Sequence, residues 1–376
     1  MEVEELAATW RRVTAGPIAA VDLPGGWTGT ELVVADPDQK RRAASYLPRL
    51  DRWSDLARPP RKVMAGSATH WTGSELVFVE PRGTARRGLV AYDPVSDAWR
   101  TTAASPINEI ADAVWADAVL VAISVARSRA AAYDPLTDTW AELPPLEGAT
   151  PLSLHLAGDD VWVLASLAGD GALAFVPLDL ESGSWGEPLV GPLTPGTVEP
   201  VWMGDAFVFL TPRDETPRDD DEADGGVGSP DARFEPSTGT WSTIENPCRL
   251  ESTGAVWTGS YLLSLERHTG WEPAAERCFT LPRSPWPERT GALRVWTEEE
   301  ILAVGGDTGG RRPRRDGVAF DPFPDDESPV VRLDKGSRPV RVRVPSLGID
   351  LPIVWDGRKI PGGSPGYPAC DVAEYW

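Results

Sequence analysis

One short pattern recurs seven times along the chain: an aromatic or large apolar residue, then a small turn, then an apolar strand. WTGTELVV and WTGSELVFV are two clear copies. The seven copies begin at Trp27, Trp71, Trp115, Leu156, Trp202, Trp257 and Trp296. Their successive spacings of 44, 44, 41, 46, 55 and 39 residues match the length of a four-stranded propeller blade. The pattern therefore predicts an all-β chain built of seven repeats.

A second pattern inside each repeat predicts its outer hairpin. Two bulky residues stand seven positions apart around a turn, as in YDPVSDAW and YDPLTDTW. Proline and the polar residues after it favour a tight turn, so the two bulky residues should face each other across a hairpin. The pairs are Tyr46 with Trp53, Tyr92 with Trp99, Tyr133 with Trp140, Leu178 with Trp185, Phe234 with Trp241, and Trp271 with Cys278.

The two ends of the repeat region are predicted to share one blade. The copy that begins at Phe320 reads FDPFPDDE and has no Trp to complete it. Trp10, in TWRRVTAGP, has the same context as Trp241 in TWSTIENPC. An N-terminal strand would complete blade seven and close the ring, removing the two sheet edges that an open array exposes. The predicted fold is a seven-bladed β-propeller of four-stranded antiparallel blades, with a short β-rich C-terminal extension.

The combined pattern of WTG, an apolar strand, YDP, four further residues and Trp resembles the Kelch or galactose-oxidase-like central β-propeller family. The resemblance covers about residues 5–327, within a predicted propeller domain of residues 1–327. The family's glycine pair after the second strand is matched clearly at Gly305 and Gly306. The resemblance implies a propeller scaffold. The copper site of galactose oxidase, with its tyrosine crosslinked to cysteine, has no matching motif here, so no catalytic residue is carried over.

Charged residues separate onto the two rims of the predicted ring. In a four-stranded blade, the loop between the second and third strands shares a rim with the blade-to-blade link, and the turn between the third and fourth strands lies opposite. The first rim is rich in arginine at the neighbouring blades seven, one, two and three. The predicted ligand-binding residues there are Arg41, Arg42, Arg86, Arg87, Arg127, Arg129, Arg311, Arg312, Arg314 and Arg315. Clustered guanidinium groups favour carboxylate or phosphate partners.

Two roles without a ligand stay open for these arginines. They can serve only to solvate the loops, or the acidic insert of blade five, at about residues 211–232, can fold over and neutralise them. The opposite rim collects acidic turn residues: Asp93, Asp97, Asp134, Asp138, Asp179, Glu235, Glu272 and Asp321.

Composition excludes several classes of function. The chain has 57 acidic against 36 basic side chains, a formal charge of -21, which opposes a general nucleic-acid role. It has no apolar run of about 18 residues, and its start lacks the features of a signal peptide, so we expect a cytoplasmic monomer without a membrane span. Cys248, Cys278 and Cys370 are an odd, sparse set, expected to form neither a disulfide framework nor a thiolate metal site. His70 and His155 hold equal places in two blades but lack a third ligand, so we expect no metal and no cofactor.

Residues 340–376 follow a polar, proline-containing linker at 328–339 and resemble the opening strands of an actinobacterial sortase-like domain. The matching residues are Arg343, Val344, Pro345, Leu347, Gly348, Ile349, Asp350, Pro352, Ile353 and Val354. A sortase needs a catalytic His, a Cys and an Arg later in the domain, and this chain has no His after His268. We therefore expect a truncated sortase-like segment or, alternatively, an edge hairpin packed on the propeller.

These observations favour recognition over catalysis. We expect a non-enzymatic propeller that binds a protein or an anionic ligand through its arginine-rich rim, because propellers present many loops from a rigid ring. One alternative is a carbohydrate-active propeller enzyme with paired carboxylates in the central channel. Another is the remnant of a propeller-sortase fusion. The sequence predicts no catalytic residue for either alternative.

Overall fold

Seven four-stranded antiparallel sheets form a closed ring in the computed structural model, which confirms the predicted all-β propeller and its blade count. The structure describes residues 4–5, 9–38, 40–80, 87–124, 128–193, 199–211, 230–287, 289–309, 312–322, 341–344, 349–354 and 373–374. The chain divides into two compact units, Met1–Pro322 and Phe323–Trp376. The propeller lies in the first unit.

Each blade runs from an inner first strand to an outer fourth strand. Blade one consists of Gly25–Trp27, Leu32–Ala35, Ala43–Leu47 and Arg52–Asp55. Blade two consists of Ala68–Trp71, Leu76–Val79, Val90–Asp93 and Ala98–Thr101. Blade three consists of Asp112–Ala116, Val119–Ser124, Arg129–Asp134 and Thr139–Leu143. Blade four consists of Ala149–Ala157, Asp160–Leu167, Leu173–Asp179 and Ser184–Trp185, and Leu189–Val190 also pairs with its third strand.

The remaining blades follow the same order. Blade five consists of Val201–Trp202, Phe207–Phe209, Ala232–Glu235 and Thr240–Thr243. Blade six consists of Val256–Trp257, Leu262–Ser264, Thr269–Glu272 and Arg277–Thr280. Blade seven consists of Thr290–Trp296, Ile301–Asp307, Gly317–Asp321 and the N-terminal strand Thr9–Val13. Short 3-10 helices at Pro48–Leu50 and Pro273–Ala275 form the outer turns of blades one and six.

The N-terminal strand closes the ring as predicted. Trp10 stands opposite Phe320 in the antiparallel ladder, and the two ring centroids lie 4.7 Å apart. Val13, at the end of the strand, is buried. Glu4–Glu5 adds a short parallel pairing to the outer strand of blade six. Residues near the start of the chain therefore pair with strands of both blade six and blade seven.

The seven-residue pairs face each other across the outer hairpins, as the turn chemistry predicted. Tyr46 opposes Trp53, and the other five pairs follow the same register. The core lies between blades, because each of seven clusters of buried apolar residues combines side chains of two neighbouring blades. Tyr46, Tyr92 and Tyr133 are among the largest fully buried side chains.

Outer-strand tryptophans tie five of the blades to the blade before them. In each case the indole Nε1 donates to a backbone carbonyl of a residue that follows the outer strand of the preceding blade. The bonds run from Trp10 to Pro282 (2.9 Å), Trp53 to Thr14 (2.7 Å), Trp140 to Ala103 (3.0 Å), Trp185 to Pro144 (2.8 Å) and Trp241 to Leu189 (3.0 Å).

Blade six replaces this indole bond with a covalent one. Cys278 occupies the outer-strand position of the tryptophans and forms a disulfide with Cys248, which lies in the link that leaves blade five. The number of cysteines predicted no disulfide framework, and it gave no indication of this single bond between a repeat position and a link. The disulfide joins the same two elements that the indole bond joins elsewhere.

Removal of this disulfide should lower the free energy of unfolding by about 3–4 kcal/mol, the entropic value for a loop of this length. The closed loop spans a sequence separation of 30 residues. Urea denaturation of the C248A/C278A double variant, with C370A as control, tests this. An unchanged midpoint in the double variant would contradict the assigned role.

The described residues of the second unit form three short strands. Arg341–Val344 pairs antiparallel with Ile349–Val354, which pairs in parallel with Ala373–Glu374. Among the residues that the structure describes, no helix has the length and apolar character needed to cross a membrane.

Candidate functional site on the link rim

The two rims of the ring differ in the elements that form them. We call the rim made of second-to-third-strand loops and blade-to-blade links the link rim, and the rim made of the other turns the turn rim. Backbone hydrogen bonds join loops and links on the link rim. One of them runs from the Gly16 N–H to the Arg315 carbonyl at 2.8 Å. The predicted arginines belong to the link rim.

Three of the predicted arginines, Arg86, Arg127 and Arg311, lie outside the described residues, as does most of the acidic insert of blade five, at 212–229. Three others are engaged within the propeller. Arg41 donates to the Pro60 carbonyl at 2.8 Å, and Arg42 forms an ion pair with Asp55 at 3.3 Å. Arg129 pairs with Glu142. These three bind parts of the propeller itself.

Four predicted arginines remain available to a ligand. Arg87, Arg312, Arg314 and Arg315 are exposed, and within the described part of the chain their side chains make no hydrogen bond or ion pair. Three of the four lie in one loop of blade seven, between its second and third strands. The free guanidinium groups are therefore concentrated on this loop, which starts at Thr308 and Gly309 in the wall of a cleft between blades six and seven.

A cleft of about 580 Å³ opens on the link rim at this junction. Apolar side chains from both blades form part of its wall: Trp10, Leu265, Ala303 and Val318. The link between the two blades contributes Arg283, Trp286 and Arg289. Arg294 and Glu266 also line the cleft and pair with each other at 2.7 Å. The cleft thus combines an apolar wall with several cations.

Arg289 is the most constrained of these cations, with a side chain only 3% exposed. It donates to the Asp316 carboxylate at 2.6 Å and to the Gly305 carbonyl at 3.0 Å. Its guanidinium carbon lies 3.6 Å from the centre of the Trp286 ring, within cation-π range. The hydrogen bond from Arg289 lowers the pKa of Asp316, and the Trp286 indole adds a second donor. This bonding fixes Arg289 at the cleft.

The glycine pair at the end of the second strand of blade seven makes this arrangement possible. Gly305 and Gly306 have φ values of 76° and 75°, which favour glycine. A Cβ atom on Gly306 would lie 2.9 Å from the Thr290 carbonyl oxygen. The Gly305 carbonyl accepts Arg289, and the Gly306 carbonyl accepts the backbone N–H of Arg314 at 2.9 Å. The pair therefore connects the buried arginine to the arginine-rich loop.

Three side chains of the cleft keep a polar atom that is buried and has no hydrogen-bond partner among the described residues. The atoms are His268 Nδ1, Arg289 Nε and Asp307 Oδ1. Buried polar atoms are normally bonded, so three such atoms around one cleft are unusual. A ligand or ordered water in the cleft would supply the partners. The chemistry around the cleft suits a molecule with an anionic group, a further polar group and an apolar part.

The sequence patterns did not indicate His268, Arg283 or Arg289 as site residues. His268 lies in the loop between the second and third strands of blade six. The two arginines lie in a link, whereas the prediction considered only arginines of the loops between second and third strands. The one available signal was Gly305–Gly306, because that pair is intact in only one repeat. Gly305 of this pair is also the residue whose carbonyl accepts a hydrogen bond from Arg289.

Asp112, on the first strand of blade three, is the inner-strand carboxylate with the clearest perturbation. Its oxygens accept the backbone N–H groups of Ala113, at 2.9 Å, and of Leu154 in blade four, at 2.7 Å. Burial raises its pKa to about 6, and the charge of Glu199 acts in the same direction. The carboxylate joins two inner strands. Within the described ranges, no group of three or more His, Cys, Asp or Glu side chains could hold a metal ion.

Comparison with known proteins gives no family assignment: no family model matches the chain, and no curated protein matches its sequence. The Kelch and sortase resemblances therefore stay predictions.

Proposed function

We propose that this propeller is a binding scaffold that takes a carboxylate or phosphate group, from a small ligand or a protein segment, into the cleft between blades six and seven. The observation that carries the proposal is Arg289. Its side chain is almost fully buried, lines the cleft and keeps Nε without a partner among the described residues. A guanidinium fixed in this way favours a planar anionic group.

The exposed arginines beside the cleft support the same ligand class. Arg283 lines the cleft, and Arg312, Arg314 and Arg315 lie on the neighbouring loop. On a chain with a formal charge of -21, this patch is a local exception. Such a patch attracts an anion from a distance and raises its association rate.

The cleft favours binding over group transfer. A nucleophilic mechanism needs a nucleophile within hydrogen-bond reach of a base. Among the described residues of the cleft, no hydrogen bond joins the His268 imidazole to a hydroxyl or carboxyl group. The cleft instead holds hydrogen-bond donors in fixed positions, and such preorganisation favours binding.

The quadruple variant R283S/R312S/R314S/R315S is expected to bind anions at least about tenfold more weakly, because each lost charge-assisted hydrogen bond is worth about 1.5–3 kcal/mol. Titration calorimetry with citrate and with inorganic phosphate measures the effect. The melting temperature should change little, since all four side chains are exposed. The affinity of the wild type should also fall with rising salt.

Arg87→Ser is the matched control, because Arg87 is an exposed arginine of the same rim in blade two. We expect it to bind like the wild type. An equal loss in the control would place binding on the whole rim and not in the cleft. Unchanged binding in the quadruple variant would contradict the proposal outright.

The disulfide bears on the compartment in which this binding occurs. Disulfides form and persist mainly in oxidising environments, and the Cys248–Cys278 bond fits such a setting. The disulfide argues against the cytoplasmic location that the sequence predicted. We therefore place the proposed function in an oxidising compartment.

The resemblance to Kelch propellers fits a recognition role, and we keep the domain limits 1–327, 328–339 and 340–376 as proposals. The linker lies outside the described residues. We also keep the sortase-like origin of residues 340–376 as a proposal, in which the segment contributes no catalytic group to this chain.

A further inference from the structure

Two blade junctions on the turn rim are closed by the same kinds of side chain. At the junction of blades two and three, Arg100 donates to both carboxylate oxygens of Glu75, at 2.8 and 2.6 Å. Its guanidinium also reaches the Tyr133 hydroxyl at 3.1 Å and the Asp138 carboxylate at 3.2 Å, both on blade three. A cation thus lies between a glutamate of one blade and a tyrosine and an aspartate of the next.

The junction of blades seven and one repeats this arrangement. Arg11 stands one residue after the outer-strand tryptophan, as Arg100 does, and pairs with Glu300 at the inner turn of its own blade. It donates to the Tyr46 hydroxyl of blade one at 3.0 Å, and that hydroxyl donates to Asp51 at 2.7 Å. The same residue types at the same repeat positions hold both junctions.

At the junction of blades one and two, the glutamate, the tyrosine and the aspartate are present, but the arginine is replaced by a serine. Glu31 holds the place of the glutamate, and the Tyr92 hydroxyl donates to Asp97 at 3.1 Å. Ser54 holds the place of the arginine. The Glu31 carboxylate makes no hydrogen bond or ion pair within the described residues. Burial, followed by the charges of Asp97 and Glu31, raises the pKa of the Tyr92 hydroxyl.

A groove of about 850 Å³ crosses the turn rim at this junction and continues to blade three. Glu31 and Asp93 lie in its wall, together with Val95 and Leu136. Val95 and Leu136 stand at the tips of two neighbouring outer turns and are 94% and 91% exposed. Arg100, the one cation among the described wall residues, already pairs with Glu75. The groove therefore has exposed apolar tips and a negative charge.

We propose that this groove docks a segment of a partner protein that carries an arginine flanked by aliphatic residues. The arginine pairs with the Glu31 carboxylate in the groove wall, as Arg11 and Arg100 pair with the glutamates of their own junctions. The aliphatic residues contact Val95 and Leu136. Arginine fits better than lysine, because the planar fork of donors reproduces the two bonds that each intramolecular arginine makes to its glutamate.

Charge and apolar contact together define this partner. A buried arginine beside apolar contacts is a common centre of binding energy in protein interfaces. The groove lies on the opposite rim from the cleft, so peptide docking here is independent of the proposed anion binding.

A fluorescent peptide with a central arginine flanked by leucine and valine is the probe, and the same peptide with citrulline is its neutral counterpart. By fluorescence anisotropy, wild type should bind the arginine peptide at least about tenfold more tightly than the citrulline peptide. Ser54→Arg should weaken binding of the arginine peptide by a similar factor, because its own guanidinium fills the junction. It should also raise the melting temperature by roughly 2 °C or more.

Ser242→Arg is the matched control, because Ser242 follows the outer-strand tryptophan of blade five. There Ala206 and Trp271 stand where the glutamate and tyrosine would be, so peptide binding should not change. Glu31→Gln is a second test that adds no bulk, and it should weaken the arginine peptide selectively.

Equal binding of the two peptides by wild type, or full binding by both Ser54→Arg and Glu31→Gln, would overturn the proposal. Self-association that Ser54→Arg abolishes, with no peptide bound, would also overturn it and would identify a second copy of the chain as the occupant.

Discussion

Deletion of residues 1–13 is expected to abolish the cooperative unfolding transition of the propeller. The deletion removes the outer strand Thr9–Val13 of blade seven and leaves the ladder of Gly317–Asp321 unpaired on that side. It also removes the Trp10 indole bond to Pro282, the ion pair of Arg11 with Glu300 and the buried Val13. An open ring exposes the sheet edge that closure covers. Urea denaturation followed by tryptophan fluorescence measures the loss.

The substitution Trp10→Ala tests the contact that closes the ring without shortening the chain. Truncation of a large aromatic residue in a packed site costs about 3–5 kcal/mol, and the lower end is expected here because Trp10 is only partly buried. A synthetic peptide of residues 1–16, added to the deleted chain, should restore part of the transition. A deletion variant with the midpoint of the wild type would show that blade seven is stable without its outer strand.

The seven-residue spacing and the acid-proline turns were sufficient to predict the hairpin registers, because both are local in sequence. Closure could be predicted because Trp10 and Trp241 share a context that marks an outer strand. The assignment of loops and turns to the two rims required only the order of the four strands in a blade. These features depend on backbone geometry, which repeats at fixed spacing.

The disulfide and the cleft could not be predicted in the same way. Cys278 was recognised at a tryptophan position, but its partner Cys248 lies in a link, and links carry no repeated signature. Arg289 is buried by a fold-specific contact with Trp286 and Asp316, which no spacing reveals. The engagement of Arg42 and Arg129 with nearby carboxylates likewise depends on side-chain placement. Sequence patterns locate loops, whereas the contacts decide which cations are free.

Two partly buried histidines, His70 and His155, should make the propeller lose stability as the pH falls from about 6.5 to about 4. Burial lowers the pKa of His70 and of His155 to about 4 each. The unfolded chain therefore takes up these protons at a higher pH than the folded chain does, so acidification favours unfolding. The contribution of the two histidines to stability is present in full above their unfolded-state pKa of about 6.5. The difference corresponds to about 3 kcal/mol for each histidine, at about 1.4 kcal/mol per pH unit.

Asp112 should oppose this trend in part of the same window. Its pKa of about 6 lies above the ordinary value of 3.8, so the folded state holds that proton more tightly. Its contribution to stability is greatest at low pH and falls as the pH rises to about 6, by about 3 kcal/mol. The exposed turn acids Asp93, Asp134 and Asp179 have lowered pKa values, so their effect appears only below their ordinary range.

Unfolding free energies measured from pH 4 to pH 7 in three variants separate these contributions. His70→Leu should flatten the pH dependence, because His70 Nε2 has no partner to lose among the described residues. His155→Asn should flatten it as well and can keep a bond to Ser153, whose hydroxyl lies 2.7 Å from the imidazole. Asp112→Asn should steepen it and stabilise the chain at pH 7, since the amide oxygen can still accept the Leu154 N–H. Identical slopes in all three variants would mean that other groups set the acid sensitivity. Opposite signs for histidine and aspartate variants are the specific signature of burial, because burial disfavours whichever form of a group is charged.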